Sequence, residues 1–439
     1  MKSTGTHRSY QIKTICNAPI ELIDGDRGKN YPKQHDFSSS GYCLFLNAGN
    51  VTKSGLDFHE CAFISEEKDS LLGKGKLRRG DIIVTTRGTL GNIGYYDKSA
   101  PYDKVRINSG MIILRPLESE LEATFLYCYL RSALFQSQVT KLSSGSAQPQ
   151  LPIRDFRNIE IPLPPLPEQR RIAHILGTLD DKIENNRKTA KTLEAMAQAI
   201  FKSWFVDFDP VRAKMAGESR ESICKRLKIT PEILDLFPDR LVDSELGEIP
   251  EGWEVGTIID IATISSGKRP ENRLERPSED AHIPLWGGNG PIGFVTEPLI
   301  YESCILTGRV GTLGTFFRIN TPCWPSDNTL IIRAIKNAYY EYVFFNISQI
   351  DMTLLNRGST QPLLTQSDLS SQPIVIPSSD IIGSFHDVSY TLLQYANFFS
   401  LNYSYVVIAR DTLLPKLISG EIRVPEAKYC VEAAMSGEV

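Results

Sequence analysis

Two long stretches of the chain carry apolar residues at alternating spacings of four and three. The first comprises Ile172, Leu176, Leu179, Ile183, Asn186, Ala190, Leu193, Ala197, Ile200 and Trp204, and the second comprises Ile381, Phe385, Val388, Leu392, Tyr395, Phe399, Asn402, Val406, Ala409 and Leu413. This heptad spacing predicts two helices with coiled-coil seams. The first helix would run from Glu168 to Phe205 and would be about 57 Å long at 1.5 Å per residue.

Each seam contains one polar residue near its middle, Asn186 in the first and Asn402 in the second. A polar seam residue fixes the register of a helix pair at some cost in stability. We predict that the helices pair antiparallel with Asn186 close to Asn402, because matching Ile172 against residues 413–417 places Asn186 opposite residues 399–403. In the alternative, each helix packs on its own domain and both asparagines are exposed.

Short apolar strands and glycine-rich loops precede each helix in the same order. Residues 80–91 match 302–314, residues 144–151 match 357–364, and residues 159–162 match 374–377. In the first pair, a strand runs into an arginine and Gly-Thr-Leu-Gly, and this pattern matches Arg87 with Arg309. Three ordered matches at a spacing of more than 200 residues predict a duplicated domain rather than a solenoid.

The pattern therefore predicts an α+β protein. Two mixed α/β domains with twisted sheets would be separated by two long antiparallel coiled-coil helices, with pseudo-twofold symmetry. We expect a first domain at 1–160, a first helix at 161–208, a linker at 209–250, a second domain at 251–377, a second helix at 378–424 and a disordered tail at 425–439.

Composition and charge narrow the class of protein. An apolar content of 41% over 439 residues is that of a globular protein of two or more domains. No apolar run approaches the roughly 20 residues that cross a bilayer, and a polar N-terminus with eight scattered cysteines predicts a cytoplasmic protein with reduced thiols. Residues 1–150 contain 19 Lys+Arg and 15 Asp+Glu, whereas residues 251–377 contain 9 Lys+Arg and 13 Asp+Glu. Since neither segment is strongly basic, any surface that binds DNA must be a local basic patch.

Motifs for catalysis and for cofactors are missing. The sequence has no Gly-x-x-x-x-Gly-Lys-Ser/Thr phosphate loop, no Asn/Asp-Pro-Pro-Tyr/Phe tetrapeptide and no closely spaced histidines. Gly288–Gly293 formally matches G-x-G-x-x-G, but Pro291 and the strand-like residues after it favour a turn between strands. Asp57, Glu66 and Lys68 only weakly resemble a nuclease site, because residues 66–69 are a charge run. We therefore expect no catalytic residue and no metal site.

The glycine-rich loops provide candidate contacts to DNA. Arg87 and Arg309 could fork onto guanine or phosphate, or each could brace its own loop. Gln148 and Gln361 could read adenine edges or cap the turn before a proline. The full set of candidates is Lys29, Lys33, Lys76, Arg78, Arg87, Gly88, Thr89, Ser146, Gln148, Lys268, Arg269, Arg309, Thr312, Arg357, Ser359 and Gln361.

Four further segments, together with these loops, resemble the specificity subunit of type I restriction–modification systems over nearly the whole chain. They are residues 161–172, 204–208, 243–250 and 414–422. Two features depart from the family pattern. The Gly-Trp opening of a recognition domain is present at Gly252-Trp253 but absent near residue 10, and Asp380-Ile381-Ile382 replaces the more common Pro-x-x-x-Gln before the second helix.

The resemblance implies that each target-recognition domain reads one half of a bipartite, asymmetric double-stranded DNA site. It also implies that the helices set the gap between the half-sites and bind two modification subunits, which bring S-adenosylmethionine for adenine-N6 methylation. Restriction subunits would supply ATP-driven cleavage with Mg²⁺, so this chain would bind no cofactor itself. The alternatives are a single-chain methyltransferase or nuclease relative, which would bind S-adenosylmethionine, and a coiled-coil scaffold, which would not bind DNA specifically.

Overall fold

The structure, a computed structural model, describes residues 10–145, 149–311, 313–352, 354–355 and 362–427. Its contacts divide the chain into two compact units. Unit 1 consists of Met1–Lys188 and Phe399–Val439, and unit 2 consists of Thr189–Phe398. Each unit therefore contains one sheet-rich domain and one segment from each of two long helices.

The first domain and the first long helix contain eleven strands and five helices among the described residues. The strands are β1 (Gln11–Thr14), β2 (Ile20–Asp24), β3 (Cys43–Leu46), β4 (Val51–Thr52), β5 (Gly55–Leu56), β6 (Phe63–Ile64), β7 (Asp81–Thr85), β8 (Ile93–Tyr96), β9 (Val105–Ile107), β10 (Met111–Pro116) and β11 (Glu160–Leu163). The helices are α1 (Glu66–Ser70), α2 (Ala123–Leu130), α3 (Ala133–Leu142), α4 (Ile153–Phe156) and α5 (Leu166–Phe205).

The described residues after α5 form three short helices, a hairpin, the second domain and the second long helix. Their helices are α6 (Asp209–Met215), α7 (Arg220–Leu227), α8 (Pro231–Asp235), α9 (Tyr340–Ser348), α10 (Gln366–Ser370) and α11 (Ser379–Ser419). Their strands are β12 (Leu241–Ser244), β13 (Gly247–Pro250), β14 (Glu254–Thr257), β15 (Ala262–Ser266), β16 (Ile283–Gly287), β17 (Gly290–Val295), β18 (Cys304–Gly308), β19 (Phe316–Ile319), β20 (Trp324–Pro325), β21 (Thr329–Ala334) and β22 (Pro373–Ile376).

The two domains share one strand topology. The antiparallel sheet β2-β10-β7-β8 of unit 1 corresponds to β15-β21-β18-β19 of unit 2. The three-stranded sheet β6-β3-β9 corresponds to β17-β16-β20, and in each the second pairing is parallel. A strand pair, β1-β11 or β14-β22, closes each domain next to its long helix. The α+β prediction is confirmed, and the sequence repeat corresponds to a repeated topology.

Both faces of the central strands are buried, which explains their continuous apolar runs. In β7, Ile82 and Val84 pack with the helices, whereas Ile83 packs with the second sheet. In β18, Ile305 likewise packs in the apolar cluster that contains the helices, whereas Leu306 packs in a separate cluster on the other face. Because side chains alternate along a strand, each central strand is covered by helices on one face and by loops and strands on the other.

In unit 1, an ion-pair triad joins α5, α11 and the domain. The Asp180 carboxylate accepts from Arg131 of α2 at 3.2 Å and from Arg410 of α11 at 2.8 Å. Burial disfavours the charge of Arg410, but the hydrogen bond that it donates to Asp180 and its attraction to that carboxylate raise its pKa overall. Arg131 also lies over the ring of Tyr127, which stacks on Tyr95 of β8. A continuous set of contacts therefore links the sheet of this domain to its helix pair.

In unit 2, aromatic packing replaces the triad. Phe205 of α5 contacts Tyr342 of α9 with ring centroids 4.8 Å apart and Phe385 of α11 at 5.1 Å. Phe201 stacks on Phe345 at 5.3 Å. Edge and stacked pairs of this kind add about 0.5–1.5 kcal/mol each beyond their buried area. His386 of α11 also contacts Glu341 of α9, so unit 2 combines aromatic packing with a polar contact.

The antiparallel register of the helices agrees with these contacts, but two details of the prediction differ. Counting back from the Asp180–Arg410 pair places Asn186 opposite Ser404, two residues from Asn402. In the described part of the chain no hydrogen bond joins the two asparagines, and the buried Nδ2 of Asn186 has no partner. The register lock therefore stays a prediction. Tyr395, predicted in the seam, is exposed, and Ala396 is buried instead because the smaller side chain fits the contact between helices.

The linker, and residues 425–427 of the predicted tail, are more ordered than the sequence predicts. Residues 209–250 form α6, α7, α8 and the β12-β13 hairpin, and Val211, Leu234 and Phe237 are buried in the core of unit 2. In the predicted tail, Ala427 is fully buried in the core of unit 1. Scattered apolar residues in both segments bury against neighbours that no local pattern identifies. Residues 428–439 lie outside the described residues.

We expect Asp180→Asn to lower the free energy of unfolding of unit 1 by about 1–3 kcal/mol, because Arg131 and Arg410 would lose a charged acceptor. Urea unfolding should be followed both by circular dichroism and by tryptophan fluorescence. All four tryptophans lie in unit 2, so fluorescence should shift less than circular dichroism. The exposed neighbour substitution Asp181→Asn is the control and should stay within about 0.5 kcal/mol of the native chain. Equal losses in both variants would contradict the triad.

Candidate nucleic-acid interface

Backbone hydrogen bonds bring the loops that follow several strands of unit 1 together. Thr86 donates to Gly110 O at 2.8 Å and accepts from Leu151 N at 3.1 Å, while Asn108 donates to Leu46 O at 3.0 Å. The loop after β2 joins them, because Arg27 donates to Ser109 O at 3.1 Å. We call this surface loop cluster 1; it comprises residues 25–30, 47–50, 86–91, 108–110 and Gln150.

Unit 2 builds the same frame from different residues. Arg309 donates to Asn328 O at 3.0 Å and accepts from Leu364 N at 2.9 Å, and Ser326 donates to Trp286 O at 2.8 Å. The loop after β15 joins this frame, because the backbone N–H of Lys268 donates to Pro325 O at 3.0 Å. Loop cluster 2 comprises residues 267–269, 287–290, 308–311, 325–328 and Leu363.

One glycine in each cluster is required by close packing. A Cβ on Gly25 would lie 2.1 Å from Asn108 O, and a Cβ on Gly267 would lie 2.2 Å from Ser326 O. Both glycines follow the first strand of the four-stranded sheet and hold the next loop against the second sheet. Backbone therefore approaches backbone here, and the neighbouring side chains project from a fixed base.

The frame corrects the predicted match between the two arginines. Thr86 and Arg309 make the equivalent backbone hydrogen bonds, and the bridge Arg87–Gln150 corresponds to Val310–Leu363. Arg87 is therefore equivalent to Val310, and Arg309 to Thr86. The sequence pattern matched Arg87 with Arg309, whereas in the structure Arg309 lies one residue before the position that is equivalent to Arg87.

A family model for the type I restriction modification DNA specificity domain matches residues 9–195 and 250–410, more than half of the chain. The chain belongs to this family. Its function is that of a DNA specificity subunit of a type I restriction–modification system, as the resemblance in the sequence indicated.

Relatives and a solved structure agree over nearly the full length. The chain is 25% identical to the type I restriction enzyme HindI specificity subunit of Haemophilus influenzae, over 91% of this chain and 98% of that one. It is 25% identical to the MjaIX specificity subunit of Methanocaldococcus jannaschii, over 86% and 87%. The fold matches the type I S subunit of M. genitalium with a TM-score of 0.60 at 19% identity, over 95% and 98% of the two chains.

Several predicted contacts of this specificity subunit lie in the loop clusters. Arg87 and Gly88 are exposed in cluster 1, and Gly88 has a positive φ of 74° that favours glycine. Lys29 is exposed in the loop after β2. The hydroxyl of Thr89 donates to Ala48 O at 3.2 Å, so its side chain also braces the loop. In cluster 2, Lys268 and Arg269 are exposed and Arg309 is half-buried.

Three other predicted contacts are placed elsewhere by the structure. Lys76 forms an ion pair with Asp69 at 2.8 Å. Although burial opposes ionisation of Asp69, hydrogen bonds from Lys76 and Arg106 lower its pKa. Arg78 precedes β7 and Arg87 follows it, so the two lie beyond opposite ends of a strand about 17 Å long. Lys33 is exposed beyond the first loop, where its backbone donates to Asp36.

The remaining predicted contacts lie outside the described residues. They are Ser146, Gln148, Thr312, Arg357, Ser359 and Gln361. Sequence reasoning missed the exposed amides Asn289 and Asn328 and the carboxylate Asp327, all in cluster 2. The glycines around Asn289 indicated a turn, and β16 and β17 do form that hairpin, but the pattern could not show which loops the turn would meet.

Within the described ranges, no group of three or more histidine, cysteine or carboxylate residues could hold a metal ion. Nor does any helix in these ranges have the length and apolarity to cross a membrane. A cavity of about 520 Å³ lies in unit 1, lined by Ser39, Ser40, Gly41, Tyr42, Leu44, Phe63, Tyr102, Asp103 and Lys104. It is at the start of β3 and β9, whereas loop cluster 1 is at their ends.

We expect Gly25→Ala or Gly267→Ala to destabilise the protein by about 1–3 kcal/mol, because the added Cβ overlaps a backbone carbonyl. Differential scanning calorimetry of the full chain measures this loss. The control is Gly177→Ala in α5, where nothing lies within 4 Å of the added Cβ and helix propensity favours alanine by roughly 1 kcal/mol. Native stability of the Gly267→Ala chain would contradict the close approach.

Proposed function

We propose that loop clusters 1 and 2 each read one half of a bipartite, asymmetric double-stranded DNA site. The observation that carries this proposal is the repeated frame, in which the same backbone hydrogen bonds support different side chains. A shared frame suits one geometry of approach to the duplex. Different side chains at its exposed positions suit two different base sequences, because base edges are distinguished by hydrogen-bond and methyl contacts.

The charges support a local rather than a global attraction to DNA. The chain has a net charge of −4, so its cations must act close to the phosphates. The exposed cations are Arg27, Lys29 and Arg87 in cluster 1, and Lys268 and Arg269 in cluster 2. Arg27 is already fixed by Asp24 and by Ser109 O, which suits a positioning contact to phosphate.

The chain itself is proposed to be non-catalytic. Its sequence contains neither a phosphate-binding loop nor the tetrapeptide typical of amino-methyltransferases. S-adenosylmethionine, ATP and Mg²⁺ are then bound by modification and restriction subunits. In this proposal α5 and α11 set the gap between the two half-sites.

An apolar surface on α11 supports the proposed binding of a modification subunit. Leu401, Tyr405 and Ile408 follow one another at spacings of four and three and therefore share one helix face. Leu401 and Ile408 are each 62% exposed and Tyr405 is 49% exposed. A cluster of this kind on one helix face marks a protein contact more often than isolated exposed residues do.

Exchanging residues 258–372 for the corresponding segment of the Haemophilus influenzae relative should change only one half of the recognised site. The segment is bounded by Thr257 and Pro373, which pair in the β14-β22 ladder, so its ends are adjacent. The measurement is sequencing of DNA methylation in cells that express the exchanged chain with a modification subunit.

A matched control exchanges α7, which lies outside both loop clusters, and should leave the methylated sequence unchanged. Changes in both halves after exchange of 258–372 would contradict independent reading by the two clusters. Specific methylation that does not depend on either cluster would overturn the proposal altogether.

Leu401→Asp together with Ile408→Asp should weaken binding of a modification subunit by about 10-fold or more, because charged side chains would enter an apolar contact. Isothermal titration with the purified subunit measures the affinity, and circular dichroism checks the fold. Leu117→Asp, at a residue that is 53% exposed elsewhere in unit 1, serves as the control and should bind like the native chain. Unchanged affinity of the double variant would exclude this face as the contact.

A further inference from the structure

The position of Arg87 in loop cluster 1 is occupied by valine in loop cluster 2. Thr86 and Arg309 each donate to one neighbouring segment and accept from another, at 2.8–3.1 Å. One residue further, Arg87 forms a β-bridge to Gln150 after α3, and Val310 forms a β-bridge to Leu363 after α9. Gly88 and Gly311 then follow with φ of 74° and 83°. The correspondence therefore holds over three consecutive residues.

Arg87 and Val310 project from the face that meets the second sheet. A Cβ on Gly110 would lie 3.7 Å from Arg87 Cβ, and a Cβ on Gly88 would lie 3.6 Å from Ala48 Cβ. In unit 2, Gly308 is two residues before Val310, and a Cβ there would lie 3.0 Å from Gly288 Cα. Since alternate residues of an extended segment share a face, Val310 projects toward the loops that contain Asn289 and Asn328.

Arg309 projects from the opposite face. It shares its side of the chain with Ile305, four residues earlier, which packs in the cluster that contains the helices. The residue is half-buried, and its guanidinium group makes no hydrogen bond or ion pair among the described residues. Arg309 therefore does not occupy the place in cluster 2 that Arg87 occupies in cluster 1.

We propose that Arg87 and Val310 are the equivalent specificity residues of the two recognition domains, and that Arg309 is not a base reader. This rests on the proposed reading of DNA by the loop clusters. Arginine at this position forks onto guanine O6 and N7, whereas valine methyl groups pack against the thymine methyl. Asn289 and Asn328 are exposed beside Val310 and have amides that suit adenine. The first half-site then contains a G·C pair at this contact, and the second contains an A·T pair.

The first test substitutes Val310→Arg and Arg87→Val in the full chain, expressed with a modification subunit, and sequences the methylated sites. Val310→Arg should shift one base pair of the second half-site from A·T toward G·C by about 10-fold or more. Arg87→Val should reduce the preference for G·C at one position of the first half-site. Arg309→Ala should leave the sequence of both half-sites unchanged.

A second test remains informative if an arginine at 310 disturbs the fold. Each thymine of the second half-site is replaced in turn by uracil, which removes only the methyl group. One replacement should weaken binding by the native complex several-fold, and the same replacement should have no effect on the Val310→Ala complex.

The outcomes separate this proposal from the broader function. The role of Val310 would be overturned if Arg309→Ala changed the sequence of the second half-site. It would also be overturned if the loss of binding caused by uracil were the same in Val310→Ala as in the native complex. Either result would still be consistent with reading of DNA by cluster 2. Sites unaffected by either Arg87→Val or exchange of residues 258–372 would instead overturn reading by the loop clusters. A shift restricted to one base pair in Val310→Arg supports the assignment.

Discussion

The two loop clusters depend on backbone hydrogen bonds that hold one residue between two neighbouring loops. In unit 1 that residue is Thr86, and in unit 2 it is Arg309. Because the bonds use amide and carbonyl groups, they tolerate a change from a small hydroxyl residue to a long cation. The close approach at Gly25 and at Gly267 follows the same rule, since it needs the absence of a side chain and places no demand on the residues nearby.

The helices are attached to the two domains by unlike interactions. Asp180 joins charged groups from α2 and α11 in unit 1, whereas Phe205 packs against aromatic rings from α9 and α11 in unit 2. Ion pairs weaken as salt rises, and aromatic packing changes little. A pseudo-symmetric sequence has thus produced two domains with different physical sensitivities.

Periodicity in the sequence predicted what local spacing controls and failed where tertiary neighbours decide. The seams predicted both long helices to within a few residues, and the Asp180–Arg410 contact agrees with their antiparallel pairing to within a residue or two. The same spacing placed Tyr395 in the seam, although Ala396 is buried there instead. The spacing of apolar residues does not show at which positions the contact between the helices is too narrow for a large ring. Val211 and Phe237 are buried in the segment 209–250, which was predicted only as a linker, because no repeat identifies their neighbours.

The match between Arg87 and Arg309 shows why the candidate site could be predicted only in outline. Both loops contain an arginine followed by Gly-Thr-Leu-Gly, but Val310 stands between Arg309 and the glycine of the second loop. Side chains of an extended segment alternate between its faces, so a displacement of one residue reverses the direction of the arginine. Similarity of the two sequences therefore located the loops correctly but aligned Arg87 with Arg309, whereas the hydrogen bonds align Arg87 with Val310. Only the hydrogen-bond partners of Thr86 and Arg309 distinguish a residue that faces the second sheet from one that faces the helices.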